Sequence, residues 1–180
     1  MTGCMKKVQA PDYCACSFDQ FRDIFKNADL SQTPPDDDPR VVELGKRTQS
    51  VCASKLPEDL VRTSFEQGCS AGDTRKAPYC HCAWPALRKT LAVADFLGDF
   101  TGPRFDDAKR NLVTACKGKF PADVAKADFV TGCSKGDASQ QPMCNCLWKK
   151  VHAKFSTEEI ISGVADLKSL PGLAECKTAH

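Results

Sequence analysis

Apolar residues recur at steps of three and four in three places along the chain: Phe18, Phe21, Ile24 and Phe25; Trp84, Leu87 and Leu91; Trp148, Val151 and Phe155. That spacing puts each set on one face of a helix, and the aromatic members read as core rather than as a ligand-stacking box. Further helices are predicted over 40–50, running into Cys52, and over 106–115, running into Cys116. Lys55-x-Pro57-x-Asp59 and Lys119-x-Pro121-x-Asp123 read as helix starts, with proline in the first turn and an acid near the positive end of the helix dipole. Gly68 and Gly132 are expected to close those two helices. Ser156-Thr-Glu-Glu159 is a capping box ahead of Ile160, Ile161, Val164 and Leu167, a helix that Pro171-Gly172 should break. No stretch of useful length alternates with period two, so the expected class is all-α.

The polar and turn positions repeat as well. Residues 52–84 and 116–148 align at a constant offset of 64, and fourteen of the 33 positions are identical. The identical residues are turn, cap, core and cysteine positions, so an architecture is repeated and not a set of polar catalytic groups. A partial third copy opens the chain. Gly3-Cys4 matches Gly68-Cys69 and Gly132-Cys133, and Cys14-Ala-Cys16 matches Cys80-His-Cys82 and Cys144-Asn-Cys146. The expected architecture is three helical-hairpin modules, residues 1–52, 53–116 and 117–180, disulfide-linked and stacked in one array.

Twelve cysteines then fall into three quartets: Cys4, Cys14, Cys16, Cys52; Cys69, Cys80, Cys82, Cys116; and Cys133, Cys144, Cys146, Cys176. An even count at repeated spacings reads as a disulfide framework of an exported protein. Cys52 and Cys69 flank a helix of about a dozen residues, roughly 18 Å at 1.5 Å per residue, too far for a bond that needs Cα atoms within about 7 Å. A hairpin of two helices across the Pro-Asp-rich linker between Asn27 and Pro39 returns Cys52 to the start of the first helix, where Cys4 also arrives. One cysteine of Cys14 and Cys16 therefore takes Cys4 and the other takes Cys52, and the order is open.

The opening Met1-Thr2-Gly3-Cys4 carries no signal peptide, as expected where a leader has been cleaved, and Thr2-Gly3 looks like the tail of a helix. A small residue and glycine before cysteine also suit a bacterial lipidation site, but the first quartet needs Cys4.

A net charge of +2 from 25 basic and 23 acidic residues leaves no electrostatic footprint for nucleic acid. No apolar run approaches the 18 or so residues of a membrane-spanning helix. Three CxC pairs, one enclosing His81, offer thiolates for copper or zinc, though no CxxC occurs. Asp36, Asp37 and Asp38 lack the spacing and glycine of a calcium loop and read as a solvated turn. Asp73 and Asp137 recur in a Ser-x-Gly-Asp turn, where bonding to nearby backbone explains them. The three histidines, His81, His152 and His180, form no acid–base constellation, and His152 is expected to face solvent. No catalytic, cofactor-binding or metal-binding residue is singled out, and no cofactor is expected.

The stretch Phe65-x-x-Gly68-Cys69, spacer, Tyr79-Cys80-His81-Cys82 and following helix resembles small exported bacterial cysteine-rich proteins built from a helix, a cysteine and a YCxC-led helix. The resemblance implies an extracytoplasmic, disulfide-bonded helical unit and no activity. Met143 stands in place of the tyrosine in the last copy, and Phe18 in place of tryptophan in the first. The function expected is a non-enzymatic scaffold that binds a protein or cell-surface partner. The alternatives are a thiolate metal-binding protein for copper or zinc, and an envelope enzyme with a site not identified.

Overall fold

The described residues form the helices α1 (Thr2–Val8), α2 (Pro11–Ile24), α3 (Pro39–Arg47), α4 (Glu58–Ser70), α5 (Ala77–Arg88), α6 (Pro103–Ala115), α7 (Ala122–Ser134), α8 (Gln141–His152) and α9 (Thr157–Ile161). The structure, a computed structural model, describes residues 2–29, 31, 33–98, 101–167, 171, 175 and 176. Among these no strand occurs, and the fold class is all-α. The chain divides into two compact units, Met1–Phe65 with Leu91–Phe100 and Glu66–Thr90 with Thr101–His180.

In the first unit α2 and α3 pack together, and the last turn before Cys52 loosens into a π-helical turn, Thr48–Cys52. Asp38 starts α3 by accepting the Arg40 amide at 2.8 Å while its second oxygen takes the Arg40 guanidinium at 2.6 Å. The Arg40 side chain, then its amide, hold the Asp38 carboxyl below its ordinary range. Asp38 is thus a helix cap, as its turn position allows, and Asp36 and Asp37 are exposed. Leu30 and Gln32 of the expected linker lie outside the described residues.

The stripe of α2 departs from expectation at Phe18, which is 37% exposed, whereas Trp84 and Trp148 are 5% and 6% exposed. In the third copy the Trp148 ring is covered by Phe129, 5.4 Å away on the helix ahead of Cys133. The helix ahead of Cys14, α1, has no aromatic residue to cover Phe18. The stripe is carried instead by Phe25, buried and stacked on Phe21 at 4.8 Å, with the Arg40 guanidinium over its ring at 5.3 Å.

α4 and α7 begin one residue after Pro57 and Pro121, with Glu58, Asp59 and Asp123 in their first turns. The prolines therefore occupy the position just before the helix rather than its first turn. Gly68 and Gly132 do not close these helices, which continue to Ser70 and Ser134. Closure falls to the next two residues, Ala71 (φ 47°) with Gly72 (φ 82°) and Lys135 (φ 50°) with Gly136 (φ 82°). Replacing Gly72 or Gly136 by alanine is expected to cost about 1–2 kcal/mol, because a Cβ penalises the left-handed region. Gly68→Ala and Gly132→Ala, whose added Cβ meets no atom within 4 Å, should instead stabilise by about 0.5–1 kcal/mol. Urea unfolding of the four oxidised variants checks both signs.

After each of these turns an aspartate starts the next short helix. Asp73 accepts the Arg75 amide at 3.0 Å and Asp137 the Ser139 amide at 2.9 Å. Both carboxyls are held below their ordinary range, Asp73 by the Arg75 side chain and then its amide, Asp137 by the Ser139 hydroxyl and then its amide. The two recurrent aspartates are accordingly turn residues.

The second unit pairs α5 with α6 and α7 with α8, and α9 packs on both α7 and α8. The capping box at Ser156 forms in full, with the Glu159 amide bonded to Ser156 Oγ at 3.3 Å and the Ser156 amide bonded to Glu159 at 2.7 Å. α9 is shorter than the apolar spacing through Leu167 implies. It stops at Ile161 because Gly163 turns the chain at φ 71°. Gly172, of the expected Pro171-Gly172 break, lies outside the described residues.

All twelve cysteines are paired: Cys4–Cys14, Cys16–Cys52, Cys69–Cys80, Cys82–Cys116, Cys133–Cys144 and Cys146–Cys176. The order left open by spacing is the same in all three quartets. The first cysteine of each CxC takes the preceding cysteine, and the second takes the following one. Thr2 and Gly3, expected at the tail of a helix, lie in the first turn of α1, and the Cys4 sulfur is bonded to Cys14.

Candidate functional site

The second unit contains a cleft of about 400 Å³ that brings an ion pair, Lys76 with Asp128, against an aromatic and aliphatic wall. Its walls come from three stretches far apart in sequence. Residues 69–79 contribute Cys69 from the end of α4, Lys76 just before α5 and Tyr79 in its first turn. The loop into α7 contributes Phe120, and α7 itself contributes Asp128 and Phe129. α9 contributes Ile160 and Ile161.

Tyr79 and Phe120 meet edge to face at 5.1 Å, the arrangement favoured by their ring quadrupoles. Tyr79 is buried, and its phenol is pushed up to about 12, first by desolvation and then by the negative charge of Glu158. Glu158 is itself 2% exposed. It is satisfied there because one carboxylate oxygen accepts both the Lys119 amide at 3.1 Å and the Phe120 amide at 3.2 Å. This carboxylate from α9 fixes the loop that positions Phe120. Glu158→Ala should leave two amides without their acceptor and lower stability by about 1–3 kcal/mol. Glu158→Gln keeps an acceptor and should cost less, and thermal unfolding of the pair distinguishes the two.

Lys76 is the charged member of the site. Its ammonium lies over the Phe120 ring at 5.8 Å and donates to Asp128 Oδ2 at 2.9 Å. The pair is asymmetric, the Lys76 side chain being 13% exposed and that of Asp128 56%. A second ion pair, Arg75 to Asp123 at 3.0 Å, joins the same two segments and is open to solvent.

The repeat supplies an internal comparison. Counting back from each CxC, Ala10 holds the position of Lys76 and Tyr13 that of Tyr79; at the offset of 64, Leu56, Val61 and Ser64 hold those of Phe120, Ala125 and Asp128. Lysine and aspartate are therefore replaced together, by alanine and serine. Ala10 and Val61 are buried in the first unit.

Outside the cleft, His81 Nδ1 approaches Glu66 Oε2 at 3.1 Å on an exposed part of α5. Nothing in the spacing of these residues, one ahead of Cys69 and one inside the CxC, announces the pair. His152 is exposed, as its position past Val151 implies, but it also stacks on Trp148 at 4.9 Å and its Nε2 lies 3.2 Å from Thr157 Oγ1. His180 lies outside the described residues. Among the described residues no group of three or more His, Cys, Asp or Glu is placed to hold a metal ion. No helix of the described residues is long and apolar enough to cross a membrane. No protein-family model, curated protein or solved structure matches the chain.

Proposed function

We propose that the chain is an exported, non-enzymatic scaffold whose disulfide-bonded helices present a surface to a protein or cell-surface partner. The observation that carries this reading is the complete use of cysteine: all twelve sulfurs are spent on six cross-links that recur in the same order in each quartet. Disulfides form and persist in oxidising compartments, which supports a place outside the cytoplasm. A sulfur bonded to another sulfur is no thiolate, so the cysteines have nothing to offer copper or zinc in this state. The identities shared by the copies support the same conclusion, because turns, caps, core rings and cross-links are repeated, the repeated charges, Lys55/Lys119, Asp59/Asp123 and Asp73/Asp137, lie at helix starts and turns, and the histidines are not repeated. Stacked as modules 1–52, 53–116 and 117–180, such units make the extended faces that repeat proteins use for binding. The likeness of residues 65–91 to small exported cysteine-rich helical proteins points the same way.

The test compares the oxidised chain with the reduced and alkylated chain as baits for intact cells and for envelope extract. Retention of one stoichiometric partner by the oxidised form alone is expected. Equal retention by both forms, or copurifying zinc or copper with twelve titratable thiols, would overturn the scaffold reading.

A further inference from the structure

From the cleft we infer a binding site for a small apolar monoanion, an aromatic or aliphatic carboxylate whose body fills the cleft and whose head pairs with Lys76. This goes beyond the partner-binding reading and does not depend on it. The cleft's volume of about 400 Å³ falls in the range of small-molecule pockets, and its lining has their usual composition, mostly apolar with a few polar groups. Tyr79, Phe120, Phe129, Ile160 and Ile161 supply the apolar walls.

The sign of the ligand's charge follows from the ion pair. A lysine ammonium has three hydrogens to donate. Asp128 takes one, and among the described residues the structure gives Lys76 no second acceptor. The Lys76 side chain is nonetheless only 13% exposed, with the ammonium over an aromatic face, where a missing hydrogen-bond partner costs more than in open water. Its partner is the exposed member, so Asp128 can rotate into water at small loss while an incoming carboxylate takes its place on Lys76. Lys76 also stands directly before α5, whose positive end adds to the field at the same spot. Glu158 does not line the cleft, and its carboxylate is engaged by two backbone amides. The first-copy residues give independent support. Where the architecture alone is repeated, alanine and serine stand at the two charged positions, so the hairpin does not need the pair.

The test titrates the intact oxidised chain with 2-naphthoate, 2-naphthamide and 2-naphthylmethylamine, one ring with three charges, by calorimetry. Saturable binding of one naphthoate is expected, about tenfold or more tighter than the amide, as a charge-assisted hydrogen bond implies. Lys76→Met should bring naphthoate down to the level of the amide. Asp128→Asn, a change at an exposed side chain that leaves the core intact, should tighten naphthoate by up to about fivefold, the range of an exposed ion pair. Equal binding of all three probes would mean a merely apolar slot and overturn the proposal. Tightest binding of the amine, weaker naphthoate binding in Asp128→Asn, or absence of saturable binding would overturn it as well. None of these outcomes touches the partner-capture result.

Discussion

Replacing Trp84 or Trp148 by alanine is expected to cost about 3–5 kcal/mol of unfolding free energy in each case, the range for truncating a buried large aromatic. Both rings are almost wholly buried. Trp148 touches Phe129 of α7 at 5.4 Å and His152 of α8 at 4.9 Å, and its removal would take away both contacts and leave a cavity. Trp84 carries the Arg88 guanidinium over its face at 6.0 Å and loses that contact too. Phe18, half-exposed in the first copy, makes a control, and Phe18→Ala should cost much less than either tryptophan. Chemical denaturation of the oxidised proteins measures all three. Parental stability in both tryptophan variants, together with loss of a ligand, would make the stripe a binding surface and not a core.

Reduction of the six disulfides should have the larger effect. In the chain-entropy account a cross-link spanning 10 or 11 residues stabilises by about 2.8 kcal/mol, and one spanning 30 to 36 by about 3.8 kcal/mol. These values do not add, but even two or three of them match the net stability of about 5–15 kcal/mol that folded domains possess. The melting temperature is expected to fall steeply on reduction, and the helical signal at room temperature to weaken. Identical melting with and without reductant would show that packing alone holds the helices and that the cysteines serve another purpose.

Much of this organisation could be read from the residues, and the parts that could not have identifiable causes. The apolar steps of three and four, the capping box at Ser156 and the acids after Pro57 and Pro121 locate helices because each is a local rule. The partition within each CxC is not local. Residues two apart on a helix point about 200° apart, so Cys14 and Cys16 face opposite sides, and only the placement of the neighbouring helices decides which side meets Cys4. The helix ends misled for a related reason. Glycine at 68 and 132 suits a stop, yet closure fell on Ala71-Gly72 and Lys135-Gly136, where an alanine and a lysine accept a positive φ that composition does not advertise. The cleft was the least legible feature. It needs Lys76, Phe120, Asp128 and Ile160 to converge from three stretches far apart in sequence.

The cross-link pattern is tested most directly by peptide mapping under non-reducing conditions. It should recover Cys4 with Cys14, Cys16 with Cys52 and the corresponding pairs of the other two quartets, in a protein whose intact mass is twelve hydrogens below that of the thiol form. A single backbone cut within residues 62–66 should then separate the fragments without reductant, since no disulfide spans it, whereas a cut within residues 99–104 should leave them joined through Cys82 and Cys116. Recovery of Cys52 bonded to Cys69, or of Cys116 bonded to Cys133, would contradict the account, because each bond would have to span the length of a helix.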